Sequence, residues 1–168
     1  FPKLVRVGLG AFGMCKIKKL NSDNFPALTI IGSGAFYFCP ITSVDLPHLK
    51  SISTNGFCGL KLLKHFFAQN FEVIGENCFS GCSQLNTIWC ALDSNQYICE
   101  CGKCPVCRNQ LQRCLKKGEA MEKFKQRELI VEKKLQYKES GQKVIFQLQN
   151  MQKELQANIK NTFKIGGE

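Results

Sequence analysis

Residues 28–47, LTIIGSGAFYFCPITSVDLP, decide the fold of this chain because the stretch recurs. Aligned on Phe36, it matches segments centred on Phe12, Phe57 and Phe79, at spacings of 24, 21 and 22 residues. Three positions after each phenylalanine stand Cys15, Cys39, Leu60 and Cys82, and just before each stand the small residues Ala11, Ala35, Gly56 and Cys78. Five before are Val7, Ile31, Ile52 and Ile74; eight before are Leu4, Leu28, Leu49 and Phe71. A fixed period in the low twenties implies a solenoid, in which each unit buries its apolar face only against its neighbours.

The stretch after the Cys15/Cys39/Leu60/Cys82 column predicts a strand. Its apolar positions are Ile17 and Leu20, then Ile41, Val44 and Leu46, then Leu63, Phe66 and Ala68, then Leu85, Ile88 and Cys90. The terminal alternation has the period of a short strand with one buried face. Residues 31–39, IGSGAFYFC, read as a turn followed by a short helical or irregular segment on the outer, convex side. The expected fold class is therefore a repeat solenoid, a leucine-rich-repeat horseshoe with short parallel strands on its concave face, followed by a cysteine-rich junction and an α-helical tail.

The units LTIIGSGAFYFCPITSVDLP and FEVIGENCFSGCSQLNTI (71–88), with their I-G-x-x-A-F-x-x-C core, resemble BspA-type leucine-rich repeats over about residues 4–90. The third unit departs from the pattern, with Ser53 for the glycine and Leu60 in the cysteine column. The resemblance implies surface proteins of mucosal bacteria and of parasitic or commensal protozoa, used in adhesion and partner binding. It brings no catalytic residues, and it favours a cell-surface or secreted location over a cytoplasmic one.

Composition divides the chain near residue 98. The net charge is +10, of which residues 1–98 supply 8 Lys/Arg against 5 Asp/Glu and residues 99–168 supply 15 against 8. Three domains are expected: a solenoid of about four units over 1–97, a cysteine-rich junction over 98–108 and a basic, helical, coiled-coil-like tail over 109–168. Of 11 cysteines, five crowd between Cys99 and Cys114. No apolar run approaches the ~18 residues of a spanning helix, so no transmembrane segment is expected. The first residue is Phe1 and the first repeat has no polar capping unit, which reads as a cut through a longer array.

The outward positions of the predicted strands form two columns, Lys19–Ser43–His65–Thr87 and Asn21–Asp45–Phe67–Trp89. Lys19, Asn21, Asp45, His65, Phe67 and Trp89 are the candidate partner-binding residues for a protein or glycan. Phe67 and Trp89 suggest a contact patch, with cover by the C-terminal segment as the alternative. The histidines His48 and His65 fall in different columns and make no ligand set. The column cysteines Cys15, Cys39 and Cys82 read as small buried residues making weak thiol hydrogen bonds, with Cys78 also in the core and Cys58 exposed.

Cys99, Cys101, Cys104 and Cys107 form C-x-C-x-x-C-x-x-C, four thiols within nine residues. Local disulfides or reduced structural thiols are one reading, zinc the other; no further cofactor is expected. Cys104-Pro105-Val106-Cys107-Arg108 is similar to the last zinc knuckle of RING-type ubiquitin ligases, but that family needs eight ligands with a histidine among them. An iron–sulfur reading lacks its completing C-x-x-x-C-P. No phosphate loop, nucleophile elbow or H-E-x-x-H occurs, so the expectation is a non-catalytic interaction or adhesion module. The alternative is a ubiquitin-ligase-like protein with the repeats as substrate receptor.

In the tail, Ile130, Tyr137, Val144 and Met151 recur seven apart, joined by Leu148 and Leu155, while Lys134 and Gly141 interrupt the companion positions. One helix is expected, or two hinged at Gly141, with homo-oligomerisation through the tail as the sharper reading. Acidic residues interleave with the lysines and no aromatic platform is present, so no specific nucleic acid is expected. Gly166-Gly167 reads as a frayed end.

Overall fold

The computed structural model describes residues 1–91 and 94–165, with side chains as far as residue 154. The expected frayed end at Gly166-Gly167 and the Leu155 side chain lie outside the described residues. Two compact units divide at Glu122, the second beginning at Lys123.

The first unit is a parallel β-solenoid of about four turns, with two short strands per turn. In chain order these are β1 (Arg6–Val7), β2 (Lys19–Asn21), β3 (Ile30–Ile31), β4 (Ser43–Asp45), β5 (Ser51–Ile52), β6 (His65–Ala68), β7 (Val73–Ile74) and β8 (Thr87–Cys90). Even-numbered strands form one parallel sheet in the order β2-β4-β6-β8, and odd-numbered strands form a second, β1-β3-β5-β7. The predicted strands after the cysteine column are the first sheet, and their apolar positions Leu20, Val44, Phe66 and Ile88 all point inward at zero exposure. The second sheet adds to the sequence reading. Ile31, expected to open a turn, ends a two-residue strand, and the rest of IGSGAFYFC follows as successive turns closed by Tyr37 N–H to Gly34 O and Cys39 N–H to Phe36 O bonds. Two residues are too few to show an alternation, so the pattern is silent there.

Each corner is built from two left-handed residues flanking the phenylalanine. Gly10, Gly34, Asn55 and Asn77 lie two before it; Met14, Phe38, Gly59 and Gly81 lie two after, all with φ between 54° and 74°. The chain can turn there because glycine has no Cβ to clash and asparagine tolerates the region. Turn-to-turn backbone bonds then stack the corners, with the N–H of Phe12, Phe36 and Phe57 donating to Ala35, Gly56 and Cys78.

The aligned phenylalanines themselves form a ladder through the core. Rings of Phe12, Phe36, Phe57 and Phe79 follow one another at 5.4, 6.0 and 6.3 Å, and the ring of Tyr97 continues the stack at 6.2 Å. Cross-packing by Phe66, 5.1 Å from Phe79 and edge-on to it, locks the ladder to the first sheet. Cys39 and Cys82 are buried in their column, their thiols bonded to the carbonyls of Phe12 and Phe57. Cys15 is half-buried, packed at the margin of the core. Cys78 is core as expected, whereas Cys58 is half-buried, its carbonyl taken by the Phe38 N–H.

After a short 3-10 turn (Ser94–Gln96) and the cysteine cluster comes α1 (Leu111–Ile165). Its start belongs to the solenoid unit. Leu111 and Cys114 are buried, the Cys114 thiol faces the Leu85 carbonyl, and Gly118 abuts the backbone of Ile88 and Trp89. This helix start thus rests against the β8 edge at Gly118. In the second unit α1 passes Gly141 without a break, as one continuous helix and not as two hinged ones. Ile130, Tyr137, Val144, Leu148 and Met151 are all exposed.

Candidate functional site

Two features of the solenoid unit could carry function, the outward face of the first sheet and the cysteine cluster.

The parallel register places both predicted columns in line. Lys19 pairs with Ser43, then His65, then Thr87; Asn21 pairs with Asp45, then Phe67, then Trp89. Accessibility changes along the columns. Lys19 is exposed, Asn21, Ser43 and Asp45 are partly so, and Thr87 is buried. Phe67, expected on the solvated face, is only 7% exposed, flanked in register by Asp45 and Trp89, with the His65 ring stacked 6.5 Å away. Trp89 is half-buried and, with Gln112, Leu115, Lys116 and Glu119 of α1, lines a cavity of about 310 Å³. The helix start therefore takes up part of the tryptophan face, and the accessible part of the sheet is polar and lies toward β2 and β4. His48 lies apart, lining a second cavity with Pro26, Lys50 and Glu72.

The four cysteines of C-x-C-x-x-C-x-x-C converge, all four sulfurs lying within 4.8 Å of one another. Cys107 Sγ is 3.6 Å from Cys104 Sγ and 3.8 Å from Cys101 Sγ. A disulfide would put one partner at about 2.05 Å. A tetrahedral zinc with bonds of about 2.3 Å sets sulfur–sulfur edges of about 3.8 Å. Gly102, at φ 69°, makes the tight bend that returns Cys104 toward Cys101. Cys104 is fully buried and the other three half-buried. The Cys107 sulfur also lies 3.1 Å from the Cys99 carbonyl oxygen.

The cluster is joined to the last repeat. The Gly81 N–H donates to Cys101 Sγ at 3.3 Å, the Lys103 N–H donates to the same sulfur at 3.4 Å, and Arg108 donates to the Ser83 carbonyl. Burial acts to raise the Cys101 thiol, but backbone N–H groups of Gly81, Lys103 and Cys104 outweigh it and hold the pKa at about 5. Burial raises Cys99 and Cys104. Among the described residues this is the one group of four such side chains placed to hold a metal ion.

Sequence reasoning found the cysteines by spacing but not their anchor in Gly81, nor Tyr97 as the fifth ring. Tyr97 follows Phe79 by 18 residues and so escapes a period of 21 to 24. Gly118 carried a visible signal, since a lone glycine in a helical pattern often marks a close approach. No helix among the described residues is long and apolar enough to cross a membrane.

A family model described as BspA type leucine rich repeat region (6 copies) matches residues 5–101, more than half of the chain. That span covers the four turns and runs into the cluster as far as Cys101. No curated protein and no solved structure matches the chain.

Proposed function

The chain belongs to the BspA-type leucine-rich-repeat family, and from that premise we propose that it is a non-catalytic interaction and adhesion module that takes a protein or glycan partner on the outward face of β2-β4-β6-β8. Repeats of this kind generally mediate protein interactions and are generally non-catalytic, which supports the reading. The observation that carries it is the pair of registered columns, which present Lys19, Asn21, Ser43 and Asp45 side by side on adjacent strands. A polar and partly charged surface suits hydrogen-bonded recognition of sugar hydroxyls or of a polar peptide. Phe67 and Trp89 flank the site in the same column, Phe67 buried and Trp89 half-buried.

A photo-crosslinking residue at Ser43, compared with one at Val73 on the other sheet, tests the assignment against arrayed glycans and purified surface proteins. Crosslinks from Ser43 alone, lost when Lys19→Glu and Asp45→Lys are combined, are the expected outcome. Equal crosslinking from Val73 would move the site elsewhere. The ligase-like alternative would need a second set of metal ligands, and the described residues supply one set.

Self-association through α1 is a second interaction, supported by the exposure of Ile130, Tyr137, Val144 and Met151 at seven-residue intervals. Light scattering across a concentration series should show dimers or higher species that Val144→Glu dissociates. A monomer at every concentration would remove it.

A further inference from the structure

The turns of the solenoid are tied by a repeating set of backbone bonds that changes character at the last one. Asn55 N–H donates to Glu76 O and, one turn later, Asn77 N–H donates to Ile98 O. Gly59 N–H donates to Ser80 O, but one turn later Gly81 N–H donates to the sulfur of Cys101. Residues 98–101 thus begin a fifth turn on the hydrogen-bond ladder, and the ring of Tyr97 begins one on the aromatic ladder. The chain then leaves the repeat. In place of a fifth strand pair it has Cys99, Cys101, Cys104 and Cys107, followed at once by the first turns of α1.

A solenoid end needs a cap, because the last turn has no neighbour to bury its apolar face. The segment 98–110 is too short to bury a core of its own and contains few apolar side chains. Its sulfurs are instead gathered at separations near the edge of a zinc–thiolate tetrahedron, with N–H donors from Gly81 and Lys103 on one of them. Such donors orient a metal-bound thiolate and spread its charge.

We propose that Cys99, Cys101, Cys104 and Cys107 bind one structural zinc ion, and that this ion replaces the core of a fifth turn and fixes the C-terminal cap, the cluster together with the α1 start, on the solenoid. On binding, Zn²⁺ forms four Zn–S bonds, each protonated thiol gives its proton to solvent, and no electron is transferred. The centre carries a net charge of −2, and the same segment holds Lys103 and Arg108 against Glu100, a net of +1. With four protein ligands no position is open for water or substrate, so the role is structural. The energetic logic is that of small metal-stapled modules, in which binding free energy is folding free energy.

The test uses the full chain, purified under reducing conditions and stripped of loosely held metal by gel filtration with a weak chelator. One zinc per chain is expected by elemental analysis. Cobalt(II) added to the apo chain should give the intense visible bands of a tetrahedral site together with a thiolate charge-transfer band. Cys107→Ser should lose both the zinc and the bands, while Cys58→Ser should keep them. Because Cys107→Ser can misfold, the metal content and cobalt spectrum of the unaltered chain decide the ligation by themselves. Absence of zinc, recovery of iron instead, an octahedral cobalt spectrum, or disulfides among these four cysteines in protein handled without oxidant would each overturn the site. For the capping role, removing zinc with a strong chelator should lower the melting temperature reported by Trp89 fluorescence and restoring zinc should recover it. A melt that is indifferent to bound zinc would overturn the cap.

Discussion

The contact between the start of α1 and the solenoid edge turns on Gly118, and replacing it with alanine tests the cap directly. A Cβ there would press on the Ile88 carbonyl oxygen and come within 2.5 Å of the Ile88 carbonyl carbon and 2.8 Å of the Trp89 nitrogen. Ordinary carbon contacts lie at about 3.5–4.0 Å, so the helix must retreat by at least about 1 Å. The obstructing atoms are sheet backbone and cannot swing aside, which places the overpacking cost near the upper end of about 1–3 kcal/mol. Alanine returns about 1 kcal/mol of helix propensity. The net expectation is a loss of about 2 kcal/mol, or roughly 8 °C in Tm for a unit of this size. Lifting the helix away is no easier route, since Leu111 and Cys114 would lose their burial. The control is the same substitution at Gly141, where a Cβ meets nothing within 4 Å. Gly141→Ala should raise helicity and leave the solenoid melt unchanged. Trp89 is the only tryptophan and borders the contact, so its fluorescence follows the event in thermal unfolding. A Gly118→Ala protein that melts at or above the parent would show that α1 does not rest on β8.

Phe57, fully buried between Phe36, Phe66 and Phe79, should cost about 3–5 kcal/mol as Phe57→Ala in chemical denaturation. A loss under 1 kcal/mol would mean that the ring ladder is not continuous. Burial raises the thiols of Cys78 and Cys82 well above their ordinary value. The unfolded chain therefore releases these protons above about pH 8.5 while the native chain keeps them, and stability should fall as pH rises from there. Cys78→Ala should reduce that slope in a pH series of melts, and an unchanged slope would refute the assignment. Met14 is exposed and left-handed at φ 58°, so Met14→Gly should stabilise by up to about 1 kcal/mol once the strain is set against glycine's entropy. A clear drop in Tm would contradict the corner geometry.

Much of this protein was legible in one dimension. Four copies of the same columns determined a parallel solenoid, the inward residues from Leu20 to Ile88 and even the strand register, because stacking identical units leaves little freedom in how Lys19, Ser43, His65 and Thr87 align. The cysteine spacing likewise determined that four thiols lie within reach of one another, since nine residues span little distance. What only the tertiary structure decided depends on contacts between different segments. Phe67 looked solvated by alternation, yet neighbours on three sides bury it. Trp89 lost part of its face to a helix that begins 22 residues later. The two-residue strands of the second sheet are too short for a pattern and exist because each has a partner one turn away. The link from Gly81 to Cys101, which makes the cluster part of the solenoid, is a hydrogen bond between a repeat and a non-repeat. Periodicity describes what a unit shares with its copies, and a cap is the place where the copies stop.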